Sequence, residues 1–179
     1  KTISDMKKNI LFFLLLLFAS ATIKAQQVTL TPEQIKGYTP EWKGERIPDG
    51  RPKVSDKLLE RLKKVHLEEA WGILRNKGYQ NQFEGDWIVE HDDSAMTGRV
   101  VPAQYMALRP DVDKVIKEIG KTEKRIGATN SWPIDVLKDG DVYVADSYGK
   151  IVDGTLMGDN LGNAIYAKSL RGVIFYGSV

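Results

Sequence analysis

The sequence predicts a mixed α/β domain, and three features of its C-terminal half indicate this fold class. Residues 110–120 carry apolar side chains at helical spacing, and residues 142–146 have the composition of a buried strand. Residues 161–170 form a second helical pattern that leads into a further strand over residues 173–176. A strand–helix–strand order of this kind is typical of domains in which helices cover a sheet.

The other elements are predicted from local signals. Ser55 can cap a helix that continues on one apolar face to Gly78. Strand-like pieces follow at residues 86–90 and 99–106, and residues 132–137 lead into a tight turn at residues 138–141. Residues 147–150 predict a hairpin turn, with residues 151–156 as the returning strand.

The N-terminal residues 1–25 are predicted to be a few upstream residues and a secretory signal peptide. Met6 precedes Lys7 and Lys8, an apolar run over residues 10–18, and small residues up to Ala25, near which we expect cleavage. The run is shorter than the roughly 20 residues that span a bilayer. We therefore expect an exported protein, periplasmic or secreted, that is free of the membrane after cleavage; an uncleaved membrane anchor is the alternative.

Beyond this leader, the sequence divides into a proline-rich arm over residues 26–54 and an α/β domain over residues 55–179. The arm holds four of the seven prolines, which indicates an extended or irregular wrap. Tyr38 and Trp42 indicate that the arm packs against another surface and does not extend freely.

Charge and cysteine content exclude several classes of function. The net charge is +2, from 26 basic and 24 acidic residues. Residues 1–25 account for four lysines and one aspartate, so the remainder has 22 basic and 23 acidic residues and a net charge of −1. This balance argues against a nucleic-acid partner. The absence of cysteine excludes disulfides, thiolate chemistry and cysteine-ligated metals.

A short polar loop, Gly158-Asp159-Asn160, is the strongest candidate for a functional site. It follows a predicted strand and opens a predicted helix, where free backbone N–H groups and the helix dipole attract carboxylate or phosphate. Gly158 and Gly162 leave room for a ligand to approach the backbone. The alternative is that Asp159 or Asn160 only caps the helix and that Gly158 only turns the chain.

The C-terminal stretch DGDVYVADSYGKIVDGTLMGDNLGNAIYAKSLRGVIFYGSV resembles the RraA-like family, which includes the ribonuclease activity regulator RraA and the 4-hydroxy-4-methyl-2-oxoglutarate aldolases. The matching motifs, in order and spacing, are Gly140-Asp141-Val142, Gly158-Asp159-Asn160-Leu161, Arg171-Gly172-Val173 and Gly177. The clear resemblance covers roughly the last 40 residues. A looser one extends back through residues 97–106 to the helix at Ser55.

The resemblance implies a swivelling β/β/α domain that assembles as a homo-trimer or hexamer. It implies a lyase, an aldolase or decarboxylase of 2-oxo acids, in which Mg²⁺ or another divalent metal stabilises a pyruvate enolate. By position, the amides of Asn160 and Leu161, next to Gly158, would hold the substrate carboxylate. Asp159 would be the catalytic residue and orient a water beside the reacting oxygens.

Two departures from the family pattern qualify this implication. The aldolases usually have Leu-Leu after the aspartate, where this chain has Asn160-Leu161. The family's arginine–aspartate pair, which binds substrate and metal, is expected just after Val179. We therefore expect a fold that is incomplete at the C-terminus and a chain that is inactive as it stands. A non-catalytic RraA-like binding or regulatory protein is the alternative function.

Other polar and aromatic residues are weaker candidates. The run Glu90-His91-Asp92-Asp93 carries metal-capable side chains, but consecutive strand residues point to opposite faces, so a polar turn is the better interpretation. His66 and the lysines of residues 57–64 are interpreted as parts of an amphipathic helix. The tryptophans Trp71, Trp87 and Trp132 are interpreted as core or subunit-interface residues.

Overall fold

The computed structural model describes residues 29–90 and 95–178. Its elements, in chain order, are α1 (Pro32–Tyr38), α2 (Asp56–Leu62), α3 (Leu67–Asn76), β1 (Arg99–Gln104), α4 (Pro110–Thr122), α5 (Trp132–Asp135), β2 (Asp141–Asp146), α6 (Asp159–Ser169) and β3 (Val173–Tyr176). Among the described residues, no helix has both the length and the apolar character needed to cross a membrane. The predicted signal peptide lies outside them.

The three strands form one parallel sheet in the order β1–β2–β3, which confirms the mixed α/β class. Arg99 pairs with Asp141 across β1 and β2, and Tyr143 pairs with Val173 across β2 and β3. The predicted hairpin after β2 is wrong. Because parallel partners occupy both sides of β2, residues 151–156 cannot pair back onto it, and they form no strand beyond a bridge between Thr155 and Ser178.

The core lies on one face of the sheet, under α5 and α6. Alternating residues of the strands point to this face. The buried cluster consists of Val101, Ile134, Leu137, Tyr143, Ala145 and Ile165. Helices α5 and α6 also contact each other, so both crossover connections lie on the same side of the sheet. The other face carries Val100 and Ile174, which remain partly exposed.

The predicted helix from Ser55 to Gly78 is two helices. The Ser55 side chain caps α2 by accepting from the Leu58 amide at 3.3 Å, as its sequence position predicts. Helix α2 then ends in a tight turn, in which the Val65 amide donates to the Leu62 carbonyl. His66 has extended backbone angles and precedes α3, so it interrupts the helical pattern.

The arm is more regular than its prolines predict. Pro32 occupies the first turn of α1, where its missing N–H has no cost, and Thr31 and Gln34 form a capping box. Trp42 is half-buried, but Tyr38 is 76% exposed, so the predicted packing of Tyr38 is wrong. The strand predicted at residues 86–90 is also absent: these residues form no regular element, and Ile88 is 94% exposed.

Candidate functional site

The sequence-predicted loop lies at the carboxyl edge of the sheet. Helix α6 follows β2 and precedes β3, which runs parallel to β2, so the N-terminus of α6 is at the edge where the strands end. Gly158 is the residue before the first helical turn, and Asp159 is the first helical residue. In open α/β sheets, this edge is where ligands bind. The structure therefore places Gly158, Asp159, Asn160 and Leu161 at the carboxyl edge of the sheet.

The first amides of α6 have no acceptor among the described residues. The backbone N–H groups of Asp159, Asn160 and Leu161 donate to no backbone or side-chain oxygen there, whereas the Gly162 amide donates to the Gly158 carbonyl at 3.0 Å. No side chain caps the helix, so the capping role considered for Asp159 or Asn160 is not observed. Three adjacent donors at the positive end of an 11-residue helix favour an anion.

The backbone conformation at position 158 does not require glycine. Its φ of −120° and ψ of −167° are extended angles that any residue adopts, so the turning role considered for it is not required. A Cβ atom at Gly158 or at Gly162 would meet no other atom within 4 Å. Asp159 and Asn160 are exposed, and Leu161 is half-buried against the core cluster. The loop is therefore anchored by Leu161 and open above its amides.

Contacts from neighbouring segments fix the residues directly before this loop, Thr155 and Leu156. The Asn130 side-chain amide donates to the Leu156 carbonyl at 2.9 Å, and Thr155 bridges to Ser178. Ser147, directly after β2, has a buried hydroxyl without a hydrogen-bond partner among the described residues, and Gly177 lies against its Cβ. Gly177 belongs to the motifs of the family resemblance, whereas Asn130, Ser147 and Thr155 were not singled out from the sequence.

A tyrosine pair lies in the core between the sheet and the loops at its carboxyl edge. The hydroxyl groups of Tyr105 and Tyr143 are 2.8 Å apart, and Tyr105 also approaches the Asn130 carbonyl. Burial raises the pKa of Tyr143 far above its ordinary value, and the hydrogen bond with Tyr105 raises it further. Burial also raises the pKa of Tyr105, with a partial offset from the same hydrogen bond. Both groups therefore stay neutral at ordinary pH and act as structural hydrogen-bonding partners.

A buried ion-pair cluster lies at the opposite, amino edge. Asp141 is fully buried, and Arg51 from the arm binds both of its carboxylate oxygens, at 3.1 and 3.0 Å. Arg99 donates to the same carboxylate at 3.3 Å. Sequence reasoning placed Asp141 in a turn motif and missed this role, because its partner Arg51 lies 90 positions earlier in the chain.

The weaker candidates do not assemble into a second site. His66 is exposed and precedes α3 without making a capping bond. Trp132 is a core residue, as predicted, whereas Trp71 and Trp87 are 38% and 42% exposed. His91, Asp92 and Asp93 lie outside the described residues. Within residues 29–90 and 95–178, no three histidine or acidic side chains are grouped closely enough to bind a metal ion.

A separate surface depression of about 520 Å³ lies on α4, away from the loop. Its lining residues are Lys114, Val115, Glu118, Ile119 and Thr122. None of them belongs to the predicted site.

Comparison of the chain with protein-family models, with curated proteins and with solved structures found no match.

Proposed function

We propose that this chain is an exported, RraA-like protein with a swivelling β/β/α domain, and that it binds a small 2-oxo acid for a divalent-metal-dependent lyase reaction. The observation that carries the proposal is the set of three amides, of Asp159, Asn160 and Leu161, that have no acceptor in the described part of the chain and lie at the carboxyl edge of a parallel sheet. A trimeric or hexameric assembly belongs to the same proposal and rests on the family resemblance alone.

The amides by themselves support weak binding. A hydrogen bond to a charged group is worth about 1.5–3 kcal/mol, so two such bonds to a carboxylate give roughly 3–6 kcal/mol. Affinity near 1 mM corresponds to about 4 kcal/mol. The Asp159 carboxylate beside the amides opposes an anion, by about 1 kcal/mol at 4 Å in a water-like environment. Positive charge from another group is therefore needed for tight binding.

Mg²⁺ is the group that the resemblance supplies for this purpose. Mg²⁺ commonly takes one or two protein carboxylates and keeps several waters. The described residues offer Asp159 at the loop and no cluster of metal-binding side chains around it, so they do not by themselves form a Mg²⁺ site. We therefore assign the loop amides to carboxylate binding and Asp159 to orienting a water, and we derive no step through the metal.

Amide NMR titration with oxalate or pyruvate tests the binding step. We expect shifts at Asp159, Asn160 and Leu161, and none with methyl acetate, a neutral ester that lacks the charge. Asp159→Asn removes the opposing charge but keeps the amide, so oxalate binding should tighten about fivefold. Asp159→Pro removes the same charge and also deletes one donor, at a helix position that tolerates proline because Gly158 is already extended, so it should bind oxalate more weakly than Asp159→Asn.

Gly162→Ala is the matched control for these two variants. It changes the same helical turn without touching a proposed donor, and its Cβ meets no atom. It should leave oxalate binding unchanged. Equal oxalate affinity in the parent protein and the three variants, or equal amide shifts with oxalate and with methyl acetate, would contradict carboxylate binding by these amides.

A non-catalytic binding protein is the second candidate function, and the openness of the loop favours it, because Asp159 and Asn160 are exposed. Assay of pyruvate release from a 4-hydroxy-2-oxo acid with Mg²⁺, on a protein that also carries the arginine–aspartate pair of the family, separates the two. A lyase shows turnover that Asp159→Asn abolishes even though it binds oxalate more tightly. Carboxylate binding without turnover assigns the binding function.

A further inference from the structure

The turn before α5 holds one asparagine, Asn130, in a fixed position. The Ser131 amide donates to the Ala128 carbonyl at 2.9 Å, and the Ser131 hydroxyl donates to the same oxygen at 2.7 Å. Trp132 and Ile134 of α5 follow and are 6% and 3% exposed. The turn is therefore closed on itself and anchored in the core, and Asn130 lies half-buried within it.

Asn130 connects this turn to the segment that leads into α6. Its side-chain Nδ2 donates to the Leu156 carbonyl at 2.9 Å, across 26 positions of the chain. Leu156 lies three positions before Asp159, the first residue of α6. The peptide unit is planar, so a directional bond to this carbonyl orients the whole unit that joins Leu156 to Met157.

Asn130 makes the last hydrogen bond from another segment before the loop amides. Leu156 and Met157 also pack against the core cluster, and Thr155 bridges to Ser178. Apolar packing is non-directional, and the bridge lies one residue farther from the loop. Within the described part of the chain, the two residues that follow Leu156 make no hydrogen bond to another segment. The backbone direction at the entry to α6 therefore depends on Asn130.

We propose that Asn130 is a positioning residue for carboxylate binding: by orienting the Leu156 peptide, it aligns the three loop amides on a shared ligand. The inference rests on the carboxylate-binding function proposed above. Hydrogen bonds weaken steeply as the donor turns away from the acceptor. A small rotation at the start of α6 therefore lowers the affinity for a carboxylate without unfolding the helix.

Two substitutions remove the donor of Asn130 and keep its approximate size. An ionised aspartate only accepts hydrogen bonds and leucine has no polar group, so neither Asn130→Asp nor Asn130→Leu can donate to Leu156. Asn163, exposed on α6, provides the matched controls Asn163→Asp and Asn163→Leu. By NMR titration, we expect oxalate binding to be about tenfold weaker in both Asn130 variants and within about twofold of the parent protein in both controls.

Two substitutions at position 159 separate positioning from a purely structural role. Asp159→Pro should bind oxalate more weakly than Asp159→Asn in the parent background, because it lacks one donor. In the Asn130→Leu background this difference in affinity should largely disappear, since the donor is already misaligned. A residue that only stabilises the fold would lower the free energy of unfolding and leave both this difference and the affinity of the folded protein unchanged.

The hydrogen bond itself is measurable in the parent protein, and circular dichroism establishes which variants are folded. A scalar coupling between the Asn130 side-chain nitrogen and the Leu156 carbonyl carbon is expected across the bond, and its absence overturns the proposal. Unchanged oxalate affinity in a folded Asn130 variant also overturns it, while the proposed function stands. A parent protein that does not bind oxalate overturns the proposed function and this inference with it.

Discussion

Replacement of Gly120 by alanine tests the packing of α4 against Trp132, the first residue of α5. Gly120 is buried near the end of α4, against the indole ring of Trp132. A Cβ at this position would lie 2.6 Å from Cζ2 and 2.9 Å from Cζ3 of that ring, and closer still to Cη2. Trp132 is only 6% exposed, so the ring has little room to move away.

The expected destabilisation combines two opposing terms. Overpacking a filled core costs about 1–3 kcal/mol. Alanine in place of glycine favours the helix by up to about 1 kcal/mol. Subtracting the helical gain leaves a net loss of about 0–2 kcal/mol for Gly120→Ala, or a Tm lower by up to roughly 8 °C for a chain of this size.

Gly72→Ala in α3 is the matched control, because its Cβ meets no atom within 4 Å. It should raise the free energy of unfolding by about 0.5–1 kcal/mol, because alanine favours a helix over glycine and no clash opposes it. Urea unfolding monitored by circular dichroism measures both changes, and the two variants should differ in sign. A Gly120→Ala protein as stable as Gly72→Ala would refute the contact between α4 and Trp132.

Further predictions concern the two buried polar clusters. The pKa of Tyr143 is raised in the folded protein, so its contribution to stability is complete below its unfolded pKa near 10 and is lost as the pH rises further. Above pH 10 the unfolding free energy of the parent protein should therefore fall with pH, and Tyr143→Phe should make this fall less steep by up to about 1.4 kcal/mol per pH unit. Asp141→Asn should cost about 3 kcal/mol in urea unfolding, because it leaves buried arginine charge unpaired. Asp135→Asn, which breaks an exposed pair with Lys168, should cost under about 1 kcal/mol. Equal losses for the two aspartates, or an unchanged alkaline slope, would contradict these assignments.

Elements with strong local signals were predicted close to their observed bounds. Helix α4 was expected over residues 110–120 and spans Pro110–Thr122, and β3 was expected and found over Val173–Tyr176. The opening of α6 was predicted from glycine, aspartate and the helical pattern that follows. These features depend on residues a few positions apart, so the sequence alone contains the interaction that forms them.

The predictions of secondary structure were wrong where the local sequence favours a strand but strand pairing depends on residues far away in the chain. Residues 147–150 do turn the chain, but β2 pairs with β1 and β3, so the predicted hairpin has no free edge to return to. Residues 86–90 have strand-like composition, yet no strand accepts them among the described residues. A strand needs a neighbour to satisfy its backbone groups, and composition does not reveal which neighbour is present.

Sequence by itself determined helices α4 and α6, the capping at Ser55 and the polar loop at Gly158, because each is decided by residues within one or two helical turns. Only the tertiary structure decided the parallel order of the strands, the burial of Asp141 between Arg51 and Arg99, and the meeting of the Tyr105 and Tyr143 hydroxyls. These contacts join residues 38 to 90 positions apart. Their energy depends on burial and geometry, which arise only when the chain has folded.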